Sequence, residues 1–229
     1  MSEFQGGPAA KVPAWRRPTP GESRWPVQVT VAGLIGLQLW LPAHLALGNR
    51  WALPAVEAVL LVVLTVANPL RLERGSAWFR RASLLLVAVA SLANGASAVL
   101  LVAHLVDGDA THSPRGLLSE GGAVYLTNVV TFALWYWELD RGGPLSRKEG
   151  QDTEVDFLFP QMATPDVAPP DWEPTFPDYL YLSFTNSTAF SPTDTMPWTR
   201  WAKMLMLVQS ATALCIAALV IARAVNVLP

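Results

Sequence analysis

Near the C-terminal end, hydroxyl and amide side chains crowd together at Thr185, Asn186, Ser187, Thr188, Ser191 and Thr193, with the carboxylate of Asp194 directly after them. These groups bring oxygen lone pairs and hydrogen-bond donors but a single charge. Along a passage they would suit a hydrated monovalent cation, water or a small polar solute. Turned toward one another they would satisfy their own hydrogen bonds and pass nothing. A lone acid, Glu57, lies inside an apolar run, where an ionised carboxylate is costly and usually faces a partner or a water-filled cavity. It is a candidate proton or cation site. The plainer alternative is an interfacial Glu paired with Arg50 or with a neighbouring helix dipole.

The other chemistry-bearing residues point to less. His44 and His104 each lack a second ligand at i+3 or i+4, so no metal site is expected from one helix. Cys215 stands alone among Ala and Leu, which excludes an internal disulfide and suggests a small buried apolar residue. Asn94, Asn128, Thr131 and Gln209 are expected to make interhelical hydrogen bonds. No Ser/His/Asp order, nucleotide loop, paired-carboxylate helix or zinc spacing is present. No catalytic residue and no cofactor are expected, and the chain is not read as an enzyme.

What must position these residues is a bundle of helices in a lipid bilayer. The 229 residues are 52% hydrophobic and 15% charged, with a mean hydropathy of +0.30, a composition that argues against a soluble domain. A span needs roughly 20 apolar residues. Candidates run over 27–47, 51–68, 82–106, 121–137 and 202–228. The expected fold class is an all-α integral membrane protein, multi-pass in the cell membrane, with about five transmembrane helices and one re-entrant or half-length helix before the last span. That short helix covers 178–191, too short to cross but long enough to enter and return. The net charge of −2 and scattered bases leave no basic face for nucleic acid.

The chain divides into a basic, Pro/Gly-rich tail (1–25) expected to be disordered, a four-helix membrane region (26–138), an acidic Pro-rich linker (139–177) and a C-terminal module (178–229). Counted from Glu138 to Asp178 there are ten acids against three bases, and the linker is expected to be extended and solvated, with Phe157, Leu158, Phe159 and Pro160 as its docking residues. Tryptophans at the ends of apolar runs, at 25, 51, 78, 135, 137, 198 and 201, suggest an aromatic belt at headgroup level. Ser91 and Gly95, four apart, would let helices approach closely.

The segment Tyr181-Leu182-Ser183-Phe184, Thr185-Asn186-Ser187-Thr188, Ala189-Phe190-Ser191-Pro192-Thr193-Asp194, Thr195-Met196-Pro197 resembles the pore module of potassium channels: an aromatic-Ser-Phe start, a Thr-rich filter, an exit Asp, a Pro and a long inner helix. Ser183-Phe184, Thr188, Asp194 and Pro197 coincide in register. The resemblance covers about a fifth to a quarter of the chain, and the chain is also similar to uncharacterised bacterial integral-membrane families with such a degenerate pore-like end. The filter glycines are replaced by Ser191 and Thr193, with Pro192 between them. Glycine supplies the backbone angles that aim filter carbonyls inward, and these residues do not. The resemblance therefore implies a homo-tetrameric, weakly selective cation or small-solute pore without potassium selectivity. The alternative is a non-conducting scaffold or sensor, and a secondary transporter using Glu57 and His104 ranks third.

Sidedness is contested within the sequence. Lys11, Arg16, Arg17 and Arg24 before the first span, and four arginines before the third, favour a cytoplasmic N-terminus. With five spans the short helix would then enter from the cytoplasm, whereas the channel resemblance implies entrance from outside. A sixth crossing by 178–193, or an external N-terminus, would remove the conflict.

Overall fold

The computed structural model describes residues 12–67, 77–107, 114–150, 154–188 and 194–227, and it is mostly helical. Pro26 lies in the first turn of α1 (Trp25–Trp40), where its missing N–H costs nothing, and Pro42 ends that helix by favouring extended backbone at Leu41. α2 (Ala52–Ala67) follows, then the long α3 (Ala77–Asp107) and α4 (Pro114–Leu139), and the last helix is α8 (Arg200–Val227). Of these, α3, α4 and α8 are long and apolar enough to cross a membrane, and α2 is apolar but shorter.

Successive helices alternate in direction. At one end, the cap end, Arg24 ahead of α1 donates to the Leu64 carbonyl late in α2 (3.2 Å) and covers the Phe79 ring early in α3. Ser83 of α3 donates to Glu138 near the end of α4. At the far end, His44 faces Glu120 of α4 at 3.8 Å and the ring of His104 at 5.1 Å. The interior is correspondingly divided. Leu34, Leu86, Leu134, Tyr136, Trp137 and Leu182 pack toward the cap, and Leu45, Leu101, Val124, Ile216 and Val220 toward the far end.

α4 is the central helix and packs on α1, α3 and α8. A Cβ on Gly121 would stand 2.5 Å from Val220, so that glycine permits the close approach of α8. The pair expected to do this, Ser91 and Gly95, does not. Nothing lies within 4 Å of a Cβ on Gly95, and Ser91 Oγ instead accepts from the Trp135 indole at 2.7 Å.

The connection after α4 is folded onto the bundle rather than extended. A short turn, Asp140–Gly142, stops α4 with Arg141 at φ 49°, and the Arg141 N–H and guanidinium hold Asp156 Oδ2 (2.8 Å) and the Trp15 carbonyl (2.6 Å). α5 (Pro144–Glu149), β1 (Phe157–Leu158) and α6 (Pro160–Ala163) follow, then α7 (Phe176–Thr188) and β2 (Met196–Pro197), which pairs antiparallel with β1. Aromatic burial outweighs the acidic, Pro-rich composition: Phe157 sits edge-on to Trp201, and Phe159 packs on Trp172 and Tyr179.

In the tail, Ala14, Trp15 and Arg24 are buried against the bundle, and residues 1–11 lie outside the described residues. Exposed tryptophans stand at both ends, Trp25, Trp78 and Trp198 at the cap and Trp40 and Trp51 opposite. Trp135, Trp137 and Trp201, expected in that belt, turn inward to hydrogen-bond Ser91, Glu22 and Asp156. Cys215 is exposed on α8.

Candidate functional site

The start of α7 is set by the sequence Thr175-Phe176-Pro177-Asp178. Asp178 Oδ2 accepts from the Thr175 N–H (2.8 Å) and hydroxyl (2.9 Å), the third-residue half of a capping box, with Pro177 in the first turn. Tyr179 donates to Asp140 Oδ2 at 2.6 Å, which ties the first turn of α7 to the cap end of α4. One turn later Ser183 donates to the Val129 carbonyl (2.6 Å), deep along α4. By Met196–Pro197 the chain is back at the cap beside β1, and α8 starts from there.

Between α4, α7 and α8 lies a closed polar cluster centred on Gln209. Its Nε2 donates to the Ser183 carbonyl (3.0 Å), Ser183 Oγ (2.6 Å) and Ser187 Oγ (2.7 Å). Its Oε1 accepts from Asn186 Nδ2 (2.8 Å) and from the Tyr136 hydroxyl. Asn186 also donates to the Met206 carbonyl (3.0 Å), and Ser210 donates to the Asn186 carbonyl (3.0 Å). Ser183, Ser187 and Gln209 are buried, and the partners are neutral amides and hydroxyls, so the cluster joins three helices without a net charge.

The sequence-derived candidates thus divide. Asn186 and Ser187 face the interior of the subunit. Thr185 Oγ1 donates to the Tyr181 carbonyl (2.9 Å) and Thr188 Oγ1 to the Thr185 carbonyl (2.9 Å), so both hydroxyls are bonded to their own helix. Together with the exposed Tyr181 and Phe184 they form one outward stripe, at i, i+3, i+4 and i+7. Asp194 is exposed and accepts from Thr195 Oγ1 at 3.4 Å. Ser191 and Thr193 lie outside the described residues. Ser183, which the sequence marked only as a register match to the pore module, and Tyr136 complete the cluster. No spacing signals Tyr136, and Gln209 was legible only as a lone amide in an apolar run.

Compared with protein-family models, curated proteins and solved structures, the chain matches none.

Glu57 is fully buried on the second turn of α2. Its Oε1 accepts from Gln38 Nε2 at 3.0 Å, and its Oε2 has no partner. Arg50 does not pair with it: that guanidinium donates to the Leu39 carbonyl and lies over Trp51. His44, His104 and Glu120 meet from separate segments, which single-helix spacing could not show, and Arg223 lines the same small recess. Among the described residues no His, Cys, Asp and Glu grouping suits a metal ion.

The cap is held by a second buried network. Glu22 accepts from Arg147 (3.3 Å), the Trp137 indole and the Phe176 N–H (2.8 Å), while Arg147 donates to the Trp137 and Asp140 carbonyls (2.7 and 2.9 Å) at the end of α4. Burial pushes the Glu22 carboxyl above its ordinary range, against the downward pull of Arg147, Trp137 and Phe176.

Proposed function

We propose that the chain is a five-span membrane protein in which the half-length α7 is a packing element and not a conduit: a non-conducting scaffold or sensor that shares the layout of a pore module. The observation that carries this is the Gln209 cluster, which uses the side chains of Ser183, Asn186 and Ser187 within one subunit. Groups committed in this way do not replace the hydration shell of a passing ion. α7 runs inward from the cap for 13 residues, and Met196–Pro197 stands at the cap again beside β1, which supports a re-entrant element. Arg16, Arg17, Arg24, Arg80, Arg81, Arg147 and Lys148 gather at the cap, against Arg50, Arg115 and Arg223 opposite, which supports a cytoplasmic cap and entrance of α7 from the cytoplasm.

The outward stripe of Tyr181, Phe184, Thr185 and Thr188 favours a second reading, a weakly selective tetrameric pore that conducts a monovalent cation along this face. Reconstitution into planar bilayers in sodium and in potassium salts separates the two. No current is expected from the wild-type chain. Unitary currents that change with Thr188→Ala or Asp194→Asn, from a particle of tetrameric mass, would establish the pore instead.

A further inference from the structure

The buried acid of α2 has no part in the α7 cluster, and it meets a single amide, that of Gln38 on α1. Two acceptors from different helices, Glu57 Oε2 and Gln38 Oε1, are both buried and both without a hydrogen-bond partner. A buried acceptor left unmade is costly, so natural interiors fill such positions with water, a proton or an ion. Gln38 also lines a cleft of about 20 Å³ at the far end, bordered by Asn49, Arg50, Leu53, Pro54 and Ser97. That volume holds about one water molecule. The cleft leads from the exposed α1–α2 connection, between Trp40 and Trp51, to the amide that holds the carboxyl.

We propose that Glu57 and Gln38 form a proton-binding site filled from the far end, with Glu57 Oε2 as the acceptor and water in the cleft as the carrier. A hydronium ion at the inner end of the cleft gives its proton to Oε2, an O–H bond forms, the carboxylate becomes a neutral carboxylic acid and neutral water is left behind. Gln38 serves either state, because its Nε2 donates to the carboxyl while Oε1 is an acceptor for the water.

The chemistry selects a proton over a metal cation. Sodium or potassium needs a shell of several oxygens, and the pair offers two that are without a partner. The charged and titratable groups on the elements packed against α2 are few. Arg24, Arg80 and Arg81 lie at the opposite end, Arg50 borders the cleft, and His44 and His104 face each other and Glu120 beyond Leu45. Among the described residues no cation pairs with Glu57.

The test uses dicyclohexylcarbodiimide, which reacts with protonated carboxyls in apolar surroundings, on the full chain in liposomes, with the modified residue read by mass spectrometry. Glu57 should be modified at acid pH, and the extent should fall about tenfold for each pH unit beyond the point where the site titrates. Gln38→Leu should move that titration point, and Ser97→Leu, which fills the cleft, should slow modification following a pH jump without moving it. Glu57→Gln, near-isosteric, should remove the label while the melting temperature in detergent stays measurable. Modification that is independent of pH, or absent from Glu57 at every pH, would overturn the proposal. So would protection by sodium or potassium at constant pH, which would make this a metal-cation site. None of these results depends on whether α7 conducts.

Discussion

In a bilayer an interhelical hydrogen bond contributes on average about 0.6 kcal/mol, because the unfolded chain in lipid also finds partners. Gln209 makes several at once and links α7 to α8 and, through Tyr136, to α4. Gln209→Leu should therefore lower stability by about 2 kcal/mol, with Ser183 and Ser187 left to find new partners, as read by thermal unfolding in detergent. A loss no larger than that of an exposed substitution such as Thr212→Val would mean that the cluster does not hold α7. Glu22 makes a pH-dependent prediction outside the membrane segments. Its folded-state affinity for the proton is raised by burial, so its contribution to stability is complete below the ordinary glutamate value of 4.5 and is lost as pH rises through the higher folded value. Over that window the wild-type melting temperature should fall relative to Glu22→Gln, which does not titrate. Parallel pH profiles would show that Arg147 keeps the carboxyl charged throughout.

At the scale of elements, the five apolar runs of the sequence fall on α1, α2, α3, α4 and α8, but only α3, α4 and α8 are long and apolar enough to cross a membrane, since Pro42 ends the first run's helix at Trp40 and α2 has 16 residues. The half-length helix was legible too, though its start was not placed by hydropathy. Thr175 and Asp178 mark it, and Asp178→Ala should cost about 1 kcal/mol by removing the cap at the Thr175 N–H and hydroxyl. The same loss should appear as easier proteolysis after Thr175. The 139–177 connection was not legible. Its acids and prolines suggest solvation, yet Phe157, Phe159 and Met162 are buried, and Arg147 reaches the carbonyls that end α4. Composition averages over such residues, whereas packing depends on the few that find aromatic or carbonyl partners.

For the whole molecule the decisive quantity is which end faces the cytoplasm. Both the start of α7 and β2 lie at the cap end of the bundle, and the proposed re-entrant reading puts the two on one side of the membrane. In a Cys215→Ala background, Asn49→Cys at the far end should react with a membrane-impermeant maleimide on intact cells, and Val167→Cys at the cap only after lysis; both positions are exposed. The reverse pattern would put the cap outside and restore the sidedness of a potassium-channel pore module.

The sequence alone determined the helical class, the membrane-length runs and the polar residues set within them, because hydropathy and the cost of an unpaired polar group act locally along the chain. Which polar residues meet was decided only in three dimensions. Gln209 lies more than twenty residues from its α7 partners, and Glu57 and Gln38 stand on separate helices. The orientation of each helix about its own axis, set by all its neighbours together, turned Asn186 and Ser187 inward and left Glu57 Oε2 without a partner.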